Sequence, residues 1–395
     1  MLSRSGSRRR VVVVQSYVPK YRATFFQHVQ TCLGAEGVAL EVLHGPPLPG
    51  HEARRDTTAC TCTVQVPARR LPAPRGRYLM WHQVQRRAGS ADAVVVEQAL
   101  HNLETYPLLL KQLIGRPAGR APRVAFWGHG RTYTRPAGRL GSSIKDTLTR
   151  HGAWFFAYTE SGAAHVASRG FPRARITVVR NSTDTGELVA GRERAEQPGT
   201  AEHAEAEALR QRYGLVPGRT ALFLGGLDRP KRIPFLLDSV SRIADQLPGF
   251  RLLVAGDGIE QRLVAEAASR PGSPVVTVGR ATGRSAALLG AVSDVMLMPG
   301  RVGLCAVDSF ALRTPIITTD WRWHAPEFEY LVDGRNAAIT PDHPAAFAAA
   351  AAALMHDPAR LASLSAACAA DAADYTAEGM ATRFCDGLLR LISRR

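Results

Sequence analysis

The chain has 395 residues, 45% hydrophobic and 21% charged, and a formal net charge of +16. That length accommodates two or three domains, and the composition is that of a globular protein, which excludes a wholly disordered chain. The longest unbroken apolar stretch, Ala345 to Met355, is largely alanine and far shorter than the ~20 residues of a membrane-spanning helix, so a transmembrane protein is excluded.

The basic excess is unevenly built and unevenly placed. Only Lys20, Lys111, Lys145 and Lys231 are lysines; the other 46 cations are arginines. Residues 1–185 hold 27 Lys+Arg against 10 Asp+Glu, whereas residues 186–395 hold 23 against 24. The positive field therefore belongs to the first half. Arg8-Arg9-Arg10 followed by Val11–Val14 could pass for a secretory signal, but Gln15 and Ser16 interrupt the apolar run after four residues. A signal core needs about 7–15. The run reads as a first buried strand behind a basic leader, Met1–Arg10. The six cysteines form no CxxC pair and no metal-ligand spacing with histidine, which fits reduced thiols in a cytoplasmic protein.

Along the chain, short β-rich runs alternate with stretches of helical period, the pattern of parallel α/β units. Strands are predicted at Val11–Val14, Ala39–Leu43, Val94–Val96, Val124–Trp127, Phe155–Tyr158 and Ile176–Val179, with helices at Tyr21–Leu33 and Leu103–Ile114. Gly50–Arg77, rich in Pro, Arg and Thr, reads as a loop or short irregular excursion. A second series of strands follows at Ala221–Leu224, Leu252–Ala255, Val275–Val278, Val295–Met298 and Ile316–Thr318. Helices fit between them at Ile233–Leu247, Glu260–Ser269, Ser285–Val292 and Ala306–Leu312. Three more start near Pro344, Pro358 and Thr376.

This predicts an N-terminal domain over 1–187, a linker over 188–218 with a short helix at Ala204–Tyr213, and a second domain over 219–375. The last helix, 376–395, is expected to cross back to the N-domain. In doubly wound sheets ligands bind beyond the C-terminal strand ends, so two such domains are expected to face each other across a cleft.

The post-strand segments of the second half carry the chemistry. They are Gly225-Gly226-Leu227-Asp228-Arg229-Pro230-Lys231, Gly256-Asp257-Gly258, Gly279-Arg280, and Pro299-Gly300-Arg301-Val302-Gly303-Leu304 with Asp308 beyond it. His324-Ala325-Pro326-Glu327 and Asp333-Gly334-Arg335-Asn336 follow. Gly256-Asp257-Gly258 lacks the third glycine of a dinucleotide fingerprint and reads as a strand-to-helix turn.

In order and spacing this string resembles the nucleotide-sugar-binding domain of the group 1 (family 4) glycosyltransferases of GT-B architecture, over residues 220–360. Weaker echoes lie at Tyr158–Ser161 and Val179–Asp184. The resemblance implies an α/β GT-B fold with two Rossmann-like domains, and a retaining, metal-independent hexosyl transfer from a nucleoside-diphosphate sugar. It implies Lys231 and the turn at Gly303-Leu304 at the diphosphate, Asp308 at the ribose, Arg280 near the base, and His129, in Trp127-Gly128-His129-Gly130, at the transferred sugar. Three family positions differ: the loop arginine is Gly226 here, and of two glutamates separated by seven residues the first is Gly300 and the second is Asp308, one methylene shorter. Arg229, Arg232 or Arg301 could restore the charge missing at Gly226.

Two polar segments of the first half, Tyr17–Arg22 and Glu97-Gln98 with His101 and Asn102, also follow strands and could equally be structural. No Asp-x-Asp occurs, which argues against the metal-dependent GT-A type, and no cofactor beyond the donor is expected. No nucleic-acid module is visible, so the basic half points to an acceptor, lipid-linked or otherwise, or to an anionic membrane face, or is simply an arginine-rich surface. Two other readings use the same fold: a nucleotide-sugar epimerase, and a non-catalytic protein that binds a nucleotide or glycan, which Gly226 and Gly300 would suit.

Overall fold

A computed structural model describes residues 9–46, 60–74, 77–115, 121–133 and 139–394. The leader before Arg9 and residues 50–59 of the expected irregular excursion lie outside them. The chain divides into two compact units, one of Met1–Asp184 with Ala377–Arg395 and one of Thr185–Thr376.

In the first unit the elements run β1 (Arg9–Gln15), α1 (Ala23–Ala35), β2 (Val38–His44), β3 (Thr63–Gln65), β4 (Ala68–Ala73), β5 (Arg77–His82), α2 (Gln85–Ala88), β6 (Ala93–Glu97), α3 (Thr105–Ile114), β7 (Arg123–Gly128), α4 (Arg139–Arg150), β8 (Trp154–Ala157), α5 (Glu160–Ser168) and β9 (Ile176–Val178). Seven strands form one parallel sheet in the order β3-β2-β1-β6-β7-β8-β9. Val11–Val14 are buried because the central strand is covered on both faces, which is why it reads as an unbroken apolar run and not as an alternation.

The described part of the expected excursion is ordered. Thr63–Gln65 extends the sheet edge, and β4 pairs antiparallel with β5 as a separate ribbon. Strand β4, with Arg69 to Pro72 exposed, is mostly open to solvent, and Arg70 lies over the Tyr78 ring at 4.2 Å, so the ribbon is held by cross-strand contacts without a core of its own.

The second unit continues with α6 (Gly186–Glu196), α7 (Ala201–Tyr213), β10 (Thr220–Leu224), α8 (Ile233–Gln246), β11 (Arg251–Ala255), α9 (Gln261–Ala268), β12 (Val275–Gly279), α10 (Arg284–Ala291), β13 (Val295–Leu297), α11 (Cys305–Ala311), β14 (Ile316–Thr319), β15 (Ala337–Thr340), α12 (Pro344–Met355) and α13 (Pro358–Ala372). Its sheet is also all parallel, ordered β12-β11-β10-β13-β14-β15, the doubly wound order that reverses between β10 and β13. The stretch expected as a linker is part of this unit. Leu188, Ala195, Ala206 and Leu215 are buried in its core, while Arg194, Arg284, Glu202 and Glu205 pair on the outer face. Those surface charges hide the sparse apolar stripe of α6 and α7 from a reading of composition.

The last helix, α14 (Ala377–Ser393), belongs to the first unit. Its apolar face carries Met380, Phe384, Leu388 and Leu391, at i, i+4, i+8 and i+11, all fully buried. The Phe384 ring lies 4.3 Å from that of Phe156, 5.0 Å from Trp127 and 5.4 Å from Phe25. Replacement of Phe384 by alanine is expected to cost about 3–5 kcal/mol of unfolding free energy. Chemical denaturation followed by tryptophan fluorescence measures it, and a loss below about 1 kcal/mol would mean that this helix is not docked as described.

Candidate functional site

In the second unit the strand order reverses between β10 and β13, and the loops after these two strands meet. Gly256 stands where a Cβ would come within 1.9 Å of the Gly225 carbonyl oxygen, so the loops after β10 and β11 close on each other only because Gly256 lacks a side chain. The Leu227 amide donates to the Asp257 carbonyl at 2.7 Å and the Glu260 amide to the Leu227 carbonyl at 2.8 Å. Gly256-Asp257-Gly258 is thus a turn that anchors the lysine loop.

Lys231 reaches from a 3-10 turn (Arg229–Lys231) across to the loop after β13. Its Nζ donates to the Arg301 carbonyl at 2.8 Å and lies 3.6 Å from the Met298 sulfur. In return the Arg301 amide donates to the Pro230 carbonyl at 2.8 Å. Gly300 is the steric condition for this contact: a Cβ there would fall 2.4 Å from the Pro230 oxygen and 2.5 Å from the Lys231 carbonyl. The absence of a carboxylate at this position is therefore tied to a close backbone approach, which sequence reasoning missed because it depends on a loop some 70 residues away.

Asp308, on α11, keeps some exposure, yet its carboxyl is crowded by protein. That desolvation pushes its pKa up to about 7, and the Lys231 charge only partly opposes it. Gly303 and Leu304 form the turn ahead of α11, whose first turn has no side-chain cap. The Ala306 and Val307 amides bond back to the Gly303 and Leu304 carbonyls at 3.0 and 2.9 Å.

A further residue organises this loop from the other side. His324 is buried at 5% exposure; its Nδ1 accepts the Val302 amide at 3.0 Å and its Nε2–H donates to the Thr319 carbonyl at 2.9 Å. Its ring stacks on Phe328 at 4.1 Å. Burial holds its pKa down at about 4, aided by the nearby Lys231 and Arg232 charges, so the ring is neutral and the Val302 bond intact at neutral pH.

Of the other cations named from the sequence, Arg232, Arg301 and Arg280 make contacts of their own. Arg232 donates to Asp342 at 2.5 Å and to the Pro299 carbonyl, and lies over Phe235 and Trp321. Arg301 donates to the Trp323 carbonyl. Arg280 follows β12, an edge strand of the sheet, and lies 3.6 Å from the Asp257 carboxylate. Arg229 is exposed in the 3-10 turn.

In the first unit His129 follows β7 and is exposed, with its ring edge-on to Tyr158 at 4.5 Å. The surrounding protein and the positive charges of Lys145 and Arg22 all lower its pKa, so it is a neutral donor or acceptor at pH 7. The Glu97 cluster is one network at the point where this sheet reverses. Ser16 Oγ donates to Glu97 at 2.7 Å, Asn102 Nδ2 to Glu97 at 3.1 Å, and Gln98 Nε2 to Thr149 at 2.8 Å. Beside it lies a fully buried pair, His82 Nδ1 with Glu104 Oε1 at 2.9 Å. Nothing in the local sequence signalled that pair, because the two residues come from β5 and the approach to α3.

A family model described as "Glycosyl transferases group 1" matches residues 218–357, within the second unit. A comparison with curated proteins returned no match. Solved structures match over nearly the whole chain. Anabaena HepE in complex with UDP is 15% identical at a TM-score of 0.65, covering 97% of this chain and all of that one. A glycosyltransferase from Rickettsia africae is 12% identical at 0.69, covering 98% and 100%. Sucrose-phosphate synthase from Thermosynechococcus elongatus is 14% identical at 0.68, covering 98% and 100%.

Two titrations check the geometry of the second unit. A histidine whose folded pKa is depressed contributes stability that is complete above its ordinary value near 6.5 and lost as pH falls toward the folded value. The wild type should therefore lose stability between about pH 6.5 and 4 through His324. His324→Phe should lose that dependence and, by stranding the Val302 amide, about 1–3 kcal/mol at pH 7. Asp308 runs the other way: its raised pKa favours the folded state at low pH, a contribution lost as pH rises from about 4 to 7. Melting curves of Asp308→Asn should accordingly be flatter over that window and at pH 8 no lower than the wild type.

Proposed function

We propose that this chain, which carries a group 1 glycosyltransferase domain on a GT-B fold, is a retaining, metal-independent hexosyltransferase. It takes the sugar from a nucleoside-diphosphate donor held by the second unit and passes it to a lipid-linked, glycan or small-molecule acceptor held by the basic first unit. The observation that carries the reading is the convergence, where the second sheet reverses, of Lys231, the turn before α11 that no side chain caps, and Asp308. UDP or UDP-glucose in the HepE structures supports a uridine nucleotide as the first donor to test.

In the transfer, the bond from the sugar's anomeric carbon to the diphosphate oxygen breaks while the acceptor oxygen bonds on the same face. The acceptor proton passes to the departing diphosphate. Lys231 and the amides of Gly303 and Leu304 stabilise the charge that develops on the leaving group, where a preorganised cation and dipoles act without reorganisation. Asp308 takes the ribose hydroxyls as hydrogen-bond partner, Arg280 stands toward the base, Arg229 is the exposed cation of the loop, and His129 contacts the transferred sugar. Arg232, by contrast, acts through the loop it braces with Asp342.

Binding of a UDP-sugar at 100 times its dissociation constant should stabilise the protein by about 2.7 kcal/mol, a rise of a few degrees in Tm. Lys231→Ala should cut kcat by about 10²–10³ with the melting temperature in the absence of donor little changed. Failure of UDP, GDP, ADP and dTDP sugars alike to raise Tm would sink the reading. Conversion of a donor in the absence of acceptor would replace it with an epimerase.

A further inference from the structure

Two of the six cysteines share one turn, Cys60-Thr61-Cys62-Thr63, which leads into β3. The Thr63 amide donates to the Cys60 carbonyl at 3.0 Å, and Thr63 Oγ1 accepts the Cys60 amide at 3.0 Å. The turn is also fixed from outside. The Val42 amide of β2 donates to the Cys62 carbonyl at 2.8 Å, and Thr61 Oγ1 donates to Gln30 Oε1 of α1 at 2.8 Å. With the backbone held in this way the two thiols meet, their sulfurs 2.9 Å apart. That is short for two unbonded sulfurs, and a further contraction of about 0.9 Å reaches the ~2.05 Å of a disulfide bond.

The pair is asymmetric in access and in charge. Cys60 is partly exposed, whereas Cys62 is 4% exposed and faces the Phe26 carbonyl at 3.9 Å. The hydrogen bond from the Cys62 thiol draws the Cys60 pKa down to about 6, against the opposing effect of burial. The same contact, with burial, holds Cys62 well above the ordinary thiol range. At neutral pH the accessible sulfur is therefore a thiolate and its inner neighbour a thiol, the arrangement of an attacking and a resolving cysteine. Other thiols are set differently. Burial pushes Cys368 up to about 12, with its thiol donating to the Asn336 carbonyl at 3.3 Å, and burial likewise raises Cys385, whose thiol donates to the Val29 carbonyl at 3.6 Å. A bond across one intervening residue closes a very short loop and constrains the unfolded chain less than a long one, so this pair is poorly suited to be a staple.

We infer that Cys60 and Cys62 form a reversible thiol–disulfide site, oxidised by a low-molecular-weight disulfide, RSSR. The Cys60 thiolate attacks one sulfur of RSSR, forming Cys60–S–S–R and releasing one RS⁻. That RS⁻ takes the proton of Cys62, whose sulfur attacks the Cys60 sulfur and expels the second RS⁻. The second RS⁻ recovers from solvent the proton that Cys60 had lost. In sum the two cysteines give up two electrons and two protons, and RSSR becomes two RSH. No residue assigned to sugar transfer takes part, so the site stands or falls apart from the transferase reading.

The test exposes the reduced, folded full chain to excess glutathione disulfide, blocks remaining thiols with iodoacetamide and maps the tryptic peptides by mass. Cys60 and Cys62 fall in one such peptide, residues 56–69, between Arg55 and Arg70. That peptide should be recovered two hydrogens lighter and without alkyl groups, formed at least tenfold faster than any other cysteine reacts, and dithiothreitol should restore both thiols. Cys60→Ser should lose this fast reaction, and Cys62→Ser should stop at the mixed disulfide, with one glutathione on Cys60. A wild-type peptide that stays doubly alkylated overturns the inference. So does a glutathione adduct on wild-type Cys60 that never resolves, or a bond that forms first between Cys32 and Cys385. The wild-type map decides by itself, so a Cys62→Ser chain that fails to fold leaves the test intact.

Discussion

One buried guanidinium secures both places where the chain passes between its two units. Arg22, at the start of α1, is 4% exposed, and among the described residues it has no ion-pair partner. It donates to Asn181 Oδ1 at 2.5 Å and to the Ser182 carbonyl, and contacts the Met380 sulfur at 3.2 Å. The rings of Tyr21, Phe25, Trp127 and Tyr158 surround it at 5.1–5.7 Å. The chain leaves the first unit just after Asp184 and returns to it at Ala377. A single cation therefore pins the departing segment and the returning helix to the same sheet end. Burying a charge without a counter-ion is costly, and aromatic faces with directed hydrogen bonds offset much of that cost. Its neighbour Tyr158 is also the ring against which His129 rests, so the anchor and the candidate sugar contact share one wall.

The second unit solves a different problem, how to hold a loop still without filling the space in front of it. The loop after β13 is bonded on one flank by Lys231 and Pro230 and on the other by His324, Trp323 and Ala325. Apart from the Arg301 side chain on the Trp323 carbonyl, these bonds are made to the loop's own backbone atoms. Gly300 lets the lysine loop sit flush, and the neutral His324 supplies an acceptor that a protonated ring could not. Crowding raises the pKa of Asp308 to about 7, an arrangement suited to a group that exchanges hydrogen bonds with hydroxyls.

Much of the architecture was legible along the chain. The parallel strands of both sheets announced themselves as short apolar runs because a strand buried on both faces needs no polar alternation. The glycine-rich turns after β10 and β11 marked the ligand end of the second sheet. What escaped the sequence was of two kinds. Strands β3 and β15 are too short to show a period, and the β4–β5 ribbon lies in a Pro- and Arg-rich stretch that reads as a loop. The helices α6 and α7 were masked by surface ion pairs, so a folded part of the second unit read as a linker.

The sequence by itself determined the fold class, the order of strands and turns, and the concentration of positive charge in the first half. Each is a local property, set by which residues lie within a few positions of one another. Only the tertiary structure decided which groups meet. Arg22 joins residues 159 and 358 positions away, His324 fixes an amide 22 positions before it, and Gly300 is required by a loop from another strand. It also decided which face of α3 stays in water. A parallel sheet gathers distant loops at one edge, and the contacts made there follow from the register of the strands beneath, which local pattern does not encode.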